Sequence, residues 1–289
     1  MVTPDSDRPT VGILHPGQMG SSLAASAQQS GCQVVWASEG RSAATRERAH
    51  RLGLLDAGTL TRLCEICDLV VSVCPPHAAR EVAIQVAGHG FAGLYLDANA
   101  VSPQSAVEVA RIVSGAGATA IDGGVVGPPA WHPKTTWLYL SGERAEEVVV
   151  CFAGGALETQ IIGEEVGAAS ALKMCYAAWT KGSTALLCAI LAAADELGVW
   201  PELRGQWERD WPGFAEQATG RAQRVTAKAW RFAGEMDEIA ATLEASGAPG
   251  GFHAAAADLY CRLAHFKDRP TPPLDEVLAA VREEGGSQG

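Results

Sequence analysis

The residues with chemistry to offer fall in three places along the chain. The first is Thr10-Val-Gly-Ile-Leu-His-Pro-Gly-Gln-Met-Gly20. An apolar run, Val11 to Leu14, enters a turn made of His15, Pro16, Gly17, Gln18, Met19 and Gly20, and a helix of small residues, Ser21 to Ser30, leaves it. Such a turn brings backbone N–H groups and the positive end of a helix up to a pyrophosphate, which is how a dinucleotide is held. His15 stands where the first glycine of that fingerprint usually stands, so the match is incomplete. An ordinary strand-to-helix turn, with glycines for tight packing, is the competing reading.

The second place is the end of the following strand, Trp36-Ala-Ser-Glu-Gly-Arg-Ser42. An acid here hydrogen-bonds the ribose 2′-hydroxyl of NAD, and an arginine with hydroxyls accommodates the 2′-phosphate of NADP. Glu39 argues for the first; Ser38, Arg41 and Ser42 supply donors suited to a phosphate dianion. NADPH is therefore expected ahead of NADH, although Ser42 also fits a simple helix N-cap. The third place is Gly167-Ala-Ala-Ser-Ala-Leu-Lys173, where a single lysine interrupts a small, apolar run. A lysine there must snorkel to water or face a cleft. In a cleft, desolvation would lower its pKa and suit it to proton transfer; otherwise it is a surface lysine on an amphipathic helix.

The elements that must position these residues follow two regimes. From residue 10 to about 163, short apolar runs alternate with helical patterns: Gln33–Ala37, Leu69–Cys74, Gly93–Asp97, Ala118–Asp122, Thr136–Ser141 and Glu158–Ile162. That alternation implies βαβ units and a mostly parallel sheet buried on both faces. Beyond Gly163 the β signal stops. Ala168–Leu197 reads as a long helix, and Trp211–Phe214, Ala222–Phe232, Glu235–Ser246, Phe252–Ala264 and Leu274–Glu284 continue the helical pattern between Gly and Pro breaks. The fold class expected is α/β: a Rossmann-type doubly wound sheet over residues 9–163, followed by an all-α substrate and dimerisation domain over 164–289. No internal repeat is evident.

Composition narrows the function classes. A net charge of −11 and no basic cluster beyond Arg46–Arg51 argue against nucleic acid as a partner. The N-terminus, Met1 to Arg8, is polar without an apolar signal core, and the longest apolar run, Ala185–Ala194, is too short to span a bilayer. No membrane partner and a cytoplasmic location are expected. Eight cysteines in 289 residues make no disulfide scaffold, and several read as small buried hydrophobes. Cys64-Glu-Ile-Cys67 has metal-like spacing but no second ligand pair, so no metal is expected. The tail Glu283–Gly289 is polar and expected to fray.

Several motifs together resemble the β-hydroxyacid dehydrogenase and 6-phosphogluconate dehydrogenase-like superfamily, which includes the imine reductases, over nearly the whole chain. Gly17-Gln-Met-Gly20 resembles its cofactor loop. Val71-Ser-Val-Cys-Pro-Pro76 is similar to the segment under the nicotinamide ribose, which implies cofactor contacts at Cys74, Pro75 and Pro76. Leu96-Asp-Ala-Asn-Ala-Val-Ser-Pro103 resembles the turn near the nicotinamide, implying Asn99 and Ser102. Asp122-Gly-Gly-Val-Val-Gly-Pro-Pro129 occupies the place of the substrate loop, and Gly167–Lys173 resembles the motif whose lysine is catalytic. The resemblance implies that Lys173 lies in a cleft between the domains beside the nicotinamide. The helical half, with Met174–Gly182 and Trp230–Met236, resembles one branch of the dehydrogenases.

The departures from that pattern steer the substrate expectation. Ala177 stands where hydroxyacid-oxidising members carry an asparagine, with Tyr176 just before it. Val126 stands where a serine is expected, and Pro128 and Pro129 follow Gly127 without an N–H to donate. A weakened anion loop argues against a small carboxylate. A pocket near Val126, Gly127, Pro128, Trp131 and either Trp179 or Trp230 would be apolar and aromatic. Lys173, or Tyr176 in its place, is expected to supply a proton while NADPH delivers hydride to a C=N or C=O group of a bulky small molecule. Glu235 and His253 are candidate polar contacts, although such residues are more often satisfied helix residues, and Lys181 reads as surface or interface. The competing readings are a β-hydroxyacid dehydrogenase and a non-catalytic dinucleotide-binding regulator. Ala-rich faces at Ala185–Ala194 and Ala254–Ala257 are consistent with a homodimer through the helical domain. Arg41→Ala is expected to weaken NADPH binding far more than NADH binding in parallel titrations; equal losses would contradict the phosphate assignment.

Overall fold

The computed structural model describes residues 8–283. The polar N-terminal segment 1–7 and the tail 284–289, whose expected character was given above, lie outside the described residues. The order of elements is β1 (Thr10–Ile13), α1 (Gln18–Gln29), β2 (Gln33–Trp36), α2 (Ala43–Arg51), β3 (Leu55–Asp56), α3 (Leu60–Ile66), β4 (Leu69–Ser72), α4 (Ala79–Gly88), β5 (Leu94–Asp97), α5 (Pro103–Gly115), β6 (Thr119–Val126), β7 (Trp137–Ser141), α6 (Ala145–Phe152) and β8 (Glu158–Gly163). Helices then take over: α7 (Ala168–Glu196), α8 (Trp200–Asp210), α9 (Phe214–Val225), α10 (Ala229–Ala245), α11 (Gly251–Arg262) and α12 (Leu274–Arg282). The strands make one eight-stranded sheet in the order β3-β2-β1-β4-β5-β6-β7-β8. Every pairing is parallel except β6 with β7.

The sheet is doubly wound, and its strands show why. Along β4 and β5, Leu69, Val71, Leu94 and Leu96 join the core on one face with α1 and α6, while Val70 and Tyr95 join the other with α3, α4 and α5. Side chains alternate across a strand, so a strand buried on both faces must be apolar throughout. The short apolar runs in the sequence are this signal. β6 runs past Asp122 to Val126, longer than its apolar start implied, because its second half pairs with β7 as a hairpin partner.

The chain divides into two compact units, one ending at Met174 and the other beginning at Cys175. The division falls inside α7, whose first turns are hydrogen-bonded to β6 and β7. The second unit is entirely helical. Of Trp211–Phe214, expected as helix, Trp211–Gly213 is instead the turn between α8 and α9, where Gly213 takes a left-handed φ of 83°, and Phe214 opens α9. Edge-to-face contacts among Trp200, Trp207, Phe214 and Trp211 pack this corner. By length and composition α7 could cross a bilayer, which the shorter run Ala185–Ala194 did not suggest; half of its apolar window is buried inside the protein.

Glycine at 124 is what admits α7 to the sheet. A Cβ there would lie 2.5 Å from the Ala169 carbonyl oxygen and 3.1 Å from Lys173 Cβ. Neither the backbone of α7 nor the strand can yield cheaply, so Gly124→Ala is expected to cost about 1–3 kcal/mol, read as a lowered Tm, whereas an unchanged Tm would contradict this packing.

Candidate functional site

The turn after β1 is built for close approach. A Cβ on Gly20 would collide with the His15 carbonyl oxygen, so this glycine lets the first turn of α1 pack against the turn. Gly17 is the N-cap of α1, has no side-chain cap, and a Cβ there would meet nothing within 4 Å. The turn thus leaves open space over uncapped helix N–H groups, the arrangement that receives a pyrophosphate. Gln18 is exposed at the mouth; Pro16 is buried and Met19 packs its side chain on the sheet core. Burial, and then the nearby Arg41, push the His15 imidazole down to about 4, so it is neutral at pH 7. His15 Nδ1 and Arg41 Nε are both buried without a hydrogen-bond partner.

Arg48 enters this site without having been singled out. Its Nε donates to the Pro16 carbonyl at 3.1 Å and its Nη2 donates to Thr45 Oγ1 at 3.1 Å, bracing the turn from α2. The only sequence signal was its place in the basic stretch Arg46–Arg51. Ser42 caps α2 through Thr45 N, so part of its hydrogen-bonding capacity is spent on the helix. Ser38 is buried, its N–H donating to Asp56 Oδ1, and its carbonyl accepts from Arg41 N. Glu39 and Arg41 line one groove of about 500 Å³ together with Ala37, Leu60, Gln85 and His89.

On the next strand end, Cys74 N–H donates to Asn99 Oδ1 at 2.6 Å, and Pro75 and Pro76 lead into a short 3-10 turn. Asn99 is buried, and its amide nitrogen donates to Ser72 Oγ and Asp97 Oδ1. Both amide hydrogens are committed inside the protein, so the side chain shapes the Cys74–Pro76 turn rather than offering a donor to a ligand. Burial pushes the Cys74 thiol up to about 12, which keeps it protonated. Ser102 caps α5 through Ser105 N.

Lys173 is placed by β6 and α7 together. Asp122, buried in the middle of β6, accepts from Gly167 N at 2.9 Å, Ser170 N at 2.9 Å, Ser170 Oγ at 2.6 Å and Ser141 Oγ at 3.1 Å. Ser141 Oγ in turn accepts from Ala169 N at 3.1 Å. Three amides at the start of α7 are thus satisfied from within the sheet. One turn on, Lys173 Nζ donates to the Val125 carbonyl at 2.5 Å. Burial alone lowers this amine from 10.5 to about 8; no charged side chain contributes. Sequence reasoning passed over Asp122, although an aspartate inside an apolar strand and followed by two glycines is a signal for a buried acceptor.

The remaining candidates divide between the two units. Val126 is buried and paired with Trp137 in the β6–β7 ladder, while Gly127 and Pro128 are exposed beyond it. Gly127 holds a φ of 127°, and a Cβ there would collide with the Thr135 carbonyl oxygen. Trp131 is 48% exposed. In the helical unit Tyr176 and Trp179 are exposed along α7. Glu235 is not a free polar contact: its carboxylate is ion-paired with Lys181, and both side chains are largely buried. Lys181, expected at the surface or an interface, lies over the Phe232 ring, 4.5 Å from its centroid. His253 is buried against Ala178 O and Gly182.

Comparison with known proteins fits this arrangement. Residues 10–148 match the family described as the NAD binding domain of 6-phosphogluconate dehydrogenase, and residues 194–263 match a family described as a domain of unknown function, DUF1932. Among solved structures, conserved protein MTH1747, reported as structurally similar to 3-hydroxyacid dehydrogenases, is 27% identical, with a TM-score of 0.66 over 88% of this chain and 97% of that one. A 3-hydroxyisobutyrate dehydrogenase from Mycobacterium tuberculosis, with L-serine, is 17% identical, with a TM-score of 0.70 over 96% of this chain and 100% of that one. A reductive aminase from Aspergillus terreus, in complex with NADPH and ethyl levulinate, is 18% identical, with a TM-score of 0.56 over 95% of this chain and 100% of that one. Residues 10–148 are therefore an NAD-binding domain of the 6-phosphogluconate dehydrogenase family, on a chain that shares its fold with hydroxyacid dehydrogenases and reductive aminases.

Proposed function

We propose that this protein is an NADPH-dependent reductase acting on a C=N or C=O group of a bulky, apolar small molecule. The observation that carries the reading is Lys173: an amine held on a backbone carbonyl, lowered to about 8 by burial, with no second cation beside it. A general acid works best when its pKa lies near the working pH. The absence of a charged neighbour suits an uncharged substrate rather than a carboxylate, which would be met by converging cations. Pro128 and Pro129 remove N–H donors from the segment after β6, in the same direction.

The nucleotide fits the residues present. The open approach at Gly17, the uncapped N–H groups of α1 and the unpartnered Arg41 Nε favour a phosphate-bearing ligand. Arg41 supplies the cation for a 2′-phosphate, and the half-committed Ser42 makes it the main determinant. A reduced nicotinamide supplies hydride. Lys173 holds the proton at Nζ, and the Val125 carbonyl keeps the amine in place until the substrate heteroatom takes that proton. A reductive aminase sharing the fold was solved with NADPH, an analogy consistent with this assignment.

The protein works as a homodimer. Along α7, Tyr176, Trp179 and Leu186 stay exposed at helical spacing, with Ser183 and Ala193 on the helix beside them and Leu197 exposed just past its end. A second copy, laying the same small-and-apolar seam against it, is the occupant this pattern favours. Light scattering is expected to give a dimer that Trp179→Glu with Leu186→Glu dissociates; a monomer at all concentrations would contradict it.

NADPH oxidation should be screened against cyclic imines and ketones. Lys173→Met is expected to remain at least as stable as the parent, since it removes a buried amine, while losing about 10²–10⁴-fold in kcat. The protonated amine is the active form for reduction. The rate should hold below pH 8 and fall as pH rises through about 8. A profile flat to pH 10, or full activity in Lys173→Met, would overturn the role.

A further inference from the structure

We propose that Asp122 is a positioning residue for Lys173: the carboxylate inside the sheet fixes the first turn of α7 and so sets where the ammonium group sits. The inference rests on the proposed role of Lys173 and adds a group that touches neither substrate nor cofactor.

The geometry is a two-point clamp on a single strand. Asp122 holds the start of α7 through Gly167 N, Ser170 N and Ser170 Oγ, and three residues further along β6 the Val125 carbonyl takes Lys173 Nζ. Gly124, between them, permits the close approach of helix and strand. Ser141 on β7 ties the same turn from the side, donating to Asp122 Oδ2 and accepting from Ala169 N. Ser170 and Lys173 are neighbours on one helical face at i and i+3, so a shift of the cap displaces the amine directly. Asp122 acts through position and not through charge, because burial alone accounts for the lowered amine. A carboxylate at a helix N-terminus, accepting from the N–H groups there, is favourable in itself.

The aspartate matters as an acceptor of several N–H and O–H donors. In Asp122→Asn one oxygen becomes an NH₂ group: facing Gly167 N and Ser170 N it meets their hydrogens, and facing Ser170 Oγ it reverses that hydrogen bond and turns the hydroxyl away, so the carboxylate's hold on the turn is weakened either way. The amine then leaves the Val125 carbonyl and gains water.

The test uses the intact, cofactor-free protein, with the Lys173 side chain followed by NMR during a pH titration and assigned by its loss in Lys173→Met. The parent should titrate near 8 and Asp122→Asn should move towards 10.5. In the NADPH-dependent assay the alkaline limb of kcat should move up with it. kcat should fall about a hundredfold, as expected for an ångström-scale misplacement, with NADPH affinity unchanged. Ser170→Ala, which deletes one bond of the clamp, should shift the titration in the same direction by less and covers the case in which Asp122→Asn does not fold. A lower Tm with the Lys173 titration unmoved in both variants would overturn the proposal, since a purely structural cap behaves so. A moved titration in a protein that reduces no substrate would uphold the positioning role and reject the reductase reading.

Discussion

A carboxylate buried in a β-sheet has to be satisfied completely or it destabilises the fold, and Asp122 is satisfied by the start of a helix. Four hydrogen bonds from Gly167, Ser170 and Ser141 converge on it. That requirement joins β6 and β7 to the first turns of α7. Breaking it would leave both an uncompensated charge and orphaned helix N–H groups. The location of Lys173 follows from this joint, because the amine and the cap are read from the same strand.

The nucleotide end obeys a different constraint. There the turn after β1 leaves space and donors, where the β6–α7 joint fills both. The open face of Gly17 and the neutral His15 lie beside two arginines, the half-buried Arg41 and Arg48. Arg48 holds the turn by its carbonyl rather than by its N–H groups, which leaves those donors for a ligand. Two arginines at this turn thus sit in different settings, Arg41 with its Nε unpartnered and Arg48 bracing the turn, and a sequence writes both alike.

Much of the fold was legible because its physics is local. Doubly buried strands must be apolar runs, so β1, β2, β4 and β5 stood out, and the small-residue character of α7 marked it as a helix. The two-residue β3 and the turn at Trp211–Phe214 were not legible: the first is too short for a period, and the second is helical in composition but broken by Pro212 and the left-handed Gly213. Within the site, glycines and Lys173 were visible because their chemistry depends on residue type. Hydrogen-bonding capacity says nothing about where it is spent: in the fold Asn99 spends its amide on Asp97 and Ser72, and Glu235, readable from the start as a satisfied helix residue, pairs with Lys181. Asp122 and Arg48 act on partners 48 and 32 residues away, a separation no local pattern records.

The central claim is that the amine of residue 173 serves the atom that a reduced nicotinamide attacks. A crystal structure of the protein with NADPH and an unreactive imine or ketone analogue tests it most directly. The account predicts the pyrophosphate on the 17–20 turn and Lys173 Nζ within about 3.2 Å of the analogue's nitrogen or oxygen, directly or through one water. A nucleotide bound elsewhere, or an amine still on the Val125 carbonyl with the analogue out of its reach, would contradict it.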